Sequence, residues 1–339
     1  MKKQINKLKK TRGLSLVELM VAMTVSAILM LGISEIFSIN SRSYKVQDEN
    51  ARMQENGRFA FNTLMTDIRR AGYFGGNAAI DEISGSVGIA VPARDCLTTN
   101  TTWGRMIERH IYGLNNANTH LDADGVTVNY TTCIPDAEYN GSDILVTRYT
   151  KSALIAAPPN DGRLYIHNSL FVGRLFSGTN YAANLSTNAV TENPNGIREL
   201  AAHAYYVGPS GRNCRFNNAD GTAISVPALQ REVLSNTGIP TRVEVASGIE
   251  RFQVQYGVSN NGDLSVNRYF NAHQLRNNSA LTPNWTQVLS VRFWILVRAD
   301  CPTSGYTNTQ TYTMGDAAAF TPNDGFKRQL YSTTVAIRN

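Results

Sequence analysis

One acid in this chain stands where it needs a partner. Glu18 lies five places after Gly13, near the start of the apolar run LSLVELMVAMTVSAILMLGISEIFSIN from Leu14 to Asn40. Sixteen uncharged residues separate it from Glu35. An acid held in hydrocarbon costs roughly 2.5 to 3.5 kcal/mol on insertion scales for the related Asp, so it requires a proton or a positive mate. Other residues offer less chemistry. His110, His120, His167, His203 and His273 are isolated and lack metal-ligand spacing. There is no GxSxG, P-loop or dinucleotide fingerprint, and Gly208-Pro209-Ser210-Gly211 reads as a turn. Asp122-Ala123-Asp124-Gly125 has the opening of a calcium loop without its closing Glu, so an Asp/Gly turn is the better reading, as it is for Asn218-Ala219-Asp220-Gly221. Trp103, Trp285 and Trp294 are read as core. The residues supply no catalytic constellation, no cofactor site and no metal site.

Cys96, Cys133, Cys214 and Cys301 are widely spaced and form no CxxC. An even number in an exported domain favours disulfides, and four cysteines allow three pairings. Cys96–Cys133 with Cys214–Cys301 nests each pair within one half of the body. The alternative is four buried free thiols.

The elements that must position these residues begin with a basic segment. MKKQINKLKKTRG carries six cations and no acid, so by the positive-inside rule this end stays in the cytoplasm. From Leu14 to Ser34 the run is 21 residues long, enough at ~1.5 Å per residue to span the ~30 Å core of a bilayer. A secretory signal peptide would be shorter, acid-free and followed by a small-residue cleavage site. A plain anchor helix would leave Glu18 without a role. Beyond residue 40 the helix continues but becomes amphipathic: Met53, Ala60, Phe61, Leu64, Met65 and Ile68 form an apolar stripe, with Arg52, Glu55, Arg58, Asp67 and Arg69 off it. Gly72 and the Gly75-Gly76 pair end it. A helix from Leu14 to about Arg70 would be ~85 Å long.

The remainder is rich in turns and short strands. Val126–Thr131, Ile144–Tyr149, Leu164–Ile166 paired with Leu170–Val172, and Ala202–Val207 before the Gly208-Pro209 and Gly211 turn signals are candidates. The closing ninety residues alternate clearly: Phe252, Val254 and Tyr256; Val291, Phe293, Ile295 and Val297; Tyr331, Thr333, Val335 and Ile337. This predicts an antiparallel sheet with one buried face, covered by the long helix. Composition excludes two classes. With 42% hydrophobic residues, the chain is not disordered. Its +6 charge belongs to the first thirteen residues, because subtracting their six cations from 32 leaves 26, equal to the 26 acids. No basic surface for nucleic acid survives.

Gly13-Leu14-Ser15-Leu16-Val17-Glu18 after a basic start resembles the class III leader of type IV prepilins, with Leu14 standing where that family usually has Phe. Three further stretches, GIERFQVQY over 248–256, VRFWILVR over 291–298 and RQLYSTTVAIRN over 328–339, resemble PilW-type minor pilins, as does DIRRAGY over 67–73. Residues 77 to 240 carry no matching motif.

The resemblance implies an α+β, pilin-like fold: a long N-terminal helix, its first half transmembrane, packed on an antiparallel β-sheet head with long loops. The expected divisions are a removable leader (1–13), the helix (14–71, with 14–40 as membrane or filament-core segment) and a periplasmic head (72–339). It implies peptidase cleavage between Gly13 and Leu14 and N-methylation of Leu14. The new ammonium could then meet Glu18 four residues on, within one helix or between neighbouring subunits. Implied partners are other minor pilins, the major pilin, the prepilin peptidase and the inner membrane; the implied role is pilus assembly or initiation, supporting twitching motility, adhesion or DNA uptake. The nearest alternative is a pseudopilin of a type II secretion system, and a third is a membrane-tethered periplasmic enzyme.

Overall fold

A computed structural model describes residues 13, 15–75, 83–85, 109–187, 190–191, 194–218, 220–259, 261, 263–277 and 280–337. The chain divides into two compact units, Met1–Ala51 and Arg52–Asn339. Helix α1 (Leu16–Arg70) is continuous, and nothing in its sequence breaks it: it contains no proline. In the first unit its large apolar side chains are exposed, and the helix is long and apolar enough to cross a bilayer.

In the second unit the helix has one buried face: Met53, Gly57, Ala60, Leu64, Asp67 and Ile68. Phe61 and Met65 pack at its margin. At Gly57 the helix approaches a sheet so closely that a Cβ would lie 2.7 Å from the Tyr331 ring and 3.0 Å from Val297 Cγ2. The helix stops at Gly72, whose φ of 83° suits a residue without a Cβ, while Tyr73 N–H donates to Arg70 O at 2.9 Å.

Two sheets make up most of the head. The larger holds β1 (Ile83–Gly85), β7 (Gly173–Ser177), β6 (Leu164–Asn168), β8 (Gly196–Asn217), β5 (Ile144–Thr150) and β2 (Ile111–Leu114) in that order. To it β9 (Ala223–Leu234) adds through β8, and β10 (Pro240–Ser247) adds through β9. The smaller runs β12 (Arg268–Phe270), β11 (Ile249–Val258), β13 (Val288–Arg298), β14 (Arg328–Ala336). β3 (Thr119–Leu121) and β4 (Thr127–Asn129) form a separate pair, and α2 (Tyr181–Thr187) is short. Among the described strands every pairing is antiparallel except β1 with β7. The architecture is therefore α+β: a long apolar helix and an antiparallel head.

The closing strands fall as their alternation predicts. Phe252 faces Ile295, Val254 faces Phe293 and Tyr256 faces Val291, while Val335 and Tyr331 continue the layer on β14. This layer joins Ala60, Leu64 and Ile68 in one core. The sheet's second face is not left to solvent, contrary to the single buried face expected. Tyr312 and Met314 pack on Leu296 there, with Trp294, Phe320 and Leu330 beside them.

Three other expectations require correction. Leu170–Val172 is not a strand but the β6–β7 connection, where Ser169 Oγ accepts from the N–H groups of Phe171 and Val172. Gly208-Pro209 does not end a strand, because β8 runs through it; Pro209 faces Pro227 on β9, so two residues without N–H groups oppose each other where the register then shifts. Asp67 lies on the buried face of α1, not off it.

Candidate functional site

At the start of α1, Leu19 N–H donates to Ser15 O at 3.0 Å, the first full helical bond. Ser15 N–H in turn donates to Glu18 Oε2 at 3.4 Å. Ser15-Leu16-Val17-Glu18 thus has the order of a capping box, in which the acid at the third helical position reaches back to the residue before the helix. The S-x-x-E order in the sequence is the signal for this cap, while the leader resemblance assigns Glu18 a different partner. Gly13 is exposed. Leu14 lies outside the described residues.

At the other end of the helix, Asp67 gathers three donors from two strands. Tyr149 Oη donates to Oδ1 at 2.8 Å, Tyr205 Oη donates to Oδ2 at 2.5 Å, and His203 Nδ1 lies 2.6 Å from Oδ2. Burial on its own would raise the carboxyl pKa; the hydrogen bond and charge of His203, with the two tyrosines, outweigh it and hold Asp67 below its ordinary 3.8. Beyond Asp67 the exit is stitched to β5, with Gly72 N–H on Arg148 O at 2.8 Å and Thr150 N–H on Tyr73 O at 2.7 Å. The DIRRAGY stretch is therefore the joint that fixes the helix end to the larger sheet.

The closing motifs converge on a second cluster. Arg328, almost fully buried, forks onto Glu250 at 2.5 and 2.9 Å and onto Asp324 at 2.6 and 2.8 Å. Arg298 reaches Glu250 at 3.5 Å and lies over the Phe326 ring at 4.2 Å, while Arg251 lies over Phe320 at 3.9 Å. Burial pulls the Arg298 pKa down, partly offset by Glu250. Strands that look like a sheet pattern in one dimension thus also carry a charge network binding β11, β13 and β14 to the segment between the last two.

The remaining polar candidates are structural. Asp122 Oδ1 accepts from Asp124 N–H and Val126 N–H, and Asn277 bonds both Asp122 Oδ2 and Asp124 Oδ2, so these carboxylates are used in folding the turn. Asp220 is likewise bound to the backbone and hydroxyl of Thr222. Among the described residues no group of three or more His, Cys, Asp or Glu could hold a metal. Burial pushes His110 and His120 down to about 4, each with its charged neighbours adding to the effect or opposing it. Trp285 is buried between Tyr112 and Tyr256, Trp294 is half-buried, and Trp103 lies outside the described residues. Cys214 and Cys301 form a disulfide. Cys133 is buried and disulfide-bonded, and Cys96 lies outside the described residues.

Comparison with known families matches both ends of the chain. The model of Type IV Pilus-assembly protein W matches residues 204–339, from the middle of β8 through β14. The Prokaryotic N-terminal methylation motif matches residues 8–34, covering the end of the basic segment and the first turns of α1. No curated protein and no solved structure matches the chain. The methylation motif leading into a membrane-length helix, together with the pilus-assembly match over the closing strands of the head, supports a PilW-type pilin with a prepilin leader.

Proposed function

We propose that the protein is a minor pilin that takes part in assembling or initiating type IV pili, and through them in twitching motility, adhesion or DNA uptake. The carrying observation is the presence in one chain of the methylation motif over 8–34 and the pilus-assembly match over 204–339. Residues 1–13 are the leader, cut between Gly13 and Leu14 by the prepilin peptidase, after which Leu14 is N-methylated. Residues 14–71 form the helix, with 14–40 first in the inner membrane and later in the filament core. Residues 72–339 form the head, on the periplasmic side until export on the pilus. Partners are other minor pilins and the major pilin, engaged by packing, and the chain performs no catalysis.

Glu18 holds a central place in this reading. Its carboxylate binds the amide nitrogen of Ser15, which is joined directly to Leu14. Cleavage creates a positive charge within reach of that acid, either on the same helix or on an adjacent subunit.

Deleting the gene tests the proposal. Loss of surface pili and twitching, restored by the intact gene but not by Glu18→Ala even when that variant is processed and membrane-inserted, is the expected result. Normal piliation with lost exoprotein release would contradict it and favour the secretion pseudopilin.

A further inference from the structure

The strands that carry the closing motifs meet the larger sheet around a cavity of about 310 Å³, lined in part by Asn140, Ser225, Glu250, Arg251 and Arg298. Its charges do not balance. Arg298 and Arg328 share two carboxylates, Glu250 and Asp324, and a third guanidinium, Arg251, lines the cavity beside them. Glu250 is already committed: Oε2 to Arg328 Nε, and Oε1 to Arg328 Nη2 with Arg298 Nη1 at 3.5 Å. Asp324 is held by the same Arg328 fork. Arg251 is half-buried and has no carboxylate partner among the described residues; only the Phe320 ring lies beneath it. Arg298 donates from Nη2 to Ser225 O at 2.9 Å, but its Nε is buried without an acceptor. A half-buried guanidinium with no carboxylate partner among the described residues, and one buried N–H without an acceptor, therefore lie beside a polar cavity.

We infer that this cavity takes a carboxylate group, held by Arg251 and Arg298. Arg251 is a single guanidinium without a carboxylate partner among the described residues, a charge that a monoanion cancels and a phosphate dianion would exceed. The planar guanidinium fork of Arg251 suits the two oxygens of a carboxylate. The volume lies at the small end of ligand sites, roughly 300 to 1,000 Å³, and admits an acid the size of a side chain. Such a group can come from an acidic side chain of a neighbouring protein or from a free organic acid. This inference does not depend on which machine the pilin serves.

Equilibrium dialysis of the full chain in detergent, with labelled acetate at constant ionic strength set by chloride, tests it. One saturable site per chain is expected, and Arg251→Gln should weaken it at least about tenfold, as loss of a charged hydrogen-bonding partner does. Arg251→Lys, which keeps the charge without the fork, should retain weaker saturable binding. Arg292→Gln, altering an arginine that lies over Tyr269 on the same sheet and does not line the cavity, should bind like the unaltered chain. N-acetylglutamate α-amide binding more tightly than acetate would assign the site to a protein side chain; equal affinity would assign it to free acids, and both support the inference. Non-saturable binding, indifference to Arg251→Gln in a variant with an unchanged circular dichroism spectrum, or phosphate displacing acetate at lower concentration than acetate itself would overturn it.

Discussion

Tyr149, His203 and Tyr205 reach Asp67 from β5 and β8, so the last turns of a mostly apolar helix face are held by directional bonds as well as by burial. Apolar packing alone would let the helix end slide along the sheet; three donors on one carboxylate fix it to one position. Asp67→Ala leaves those donors without an acceptor, and the expected loss is about 3 kcal/mol or more. The pH dependence has a definite sign. Because the folded carboxyl titrates below 3.8, its contribution is fully present above that value and is lost as pH falls through the lower folded value. Asp67→Asn should therefore be less stable than the unaltered protein at pH 7 and should show a shallower fall in Tm below pH 4 in thermal melts. Parallel acid limbs would contradict the assignment. None of this was legible locally. Asp67 precedes Arg69 and Arg70 and reads as a solvent-facing acid, while its partners lie 82 to 138 residues further along the chain.

The alternating strands show how much of an element can be read without the fold. Phe252, Val254 and Tyr256 on β11, and Val291, Phe293 and Ile295 on β13, face one core because period two fixes their side. Gly72 likewise ended α1 as glycine does at helix termini. The unread parts depend on what an element meets. Gly208-Pro209 has turn chemistry, yet β8 continues because Pro227 stands opposite and no donor is missed. Gly57, in the interior of α1, is a point of close contact with the smaller sheet. Gly57→Leu should cost about 1 to 3 kcal/mol in chemical denaturation, because overpacking drives side chains out of their preferred rotamers. Tyr331→Ala in the same chain should recover part of that loss, since Tyr331 supplies the nearest atoms. A neutral Gly57→Leu, or a simple sum of the two costs, would contradict the close approach.

At the scale of the whole molecule, the two matched ends do different physical work. The first unit offers a helix with its apolar side chains exposed, a surface suited to lipid or to other helices and not to water. The second unit buries its helix face and adds a disulfide between Cys214 on β8 and Cys301 just beyond β13, so a covalent link ties the larger sheet to the smaller one. Of the three pairings that four cysteines allow, the one preferred from sequence, which nests each pair within one half of the body, contains this bridge. The leader was the most legible feature of all, since charge, Gly, apolar run and acid follow in fixed order. Its processing is also the step on which the pilin reading stands. The decisive measurement is the intact mass and N-terminal sequence of the protein recovered from cells with an active prepilin peptidase. The account predicts a chain beginning at Leu14 with one added methyl group; a chain that still carries Met1–Gly13 would contradict it.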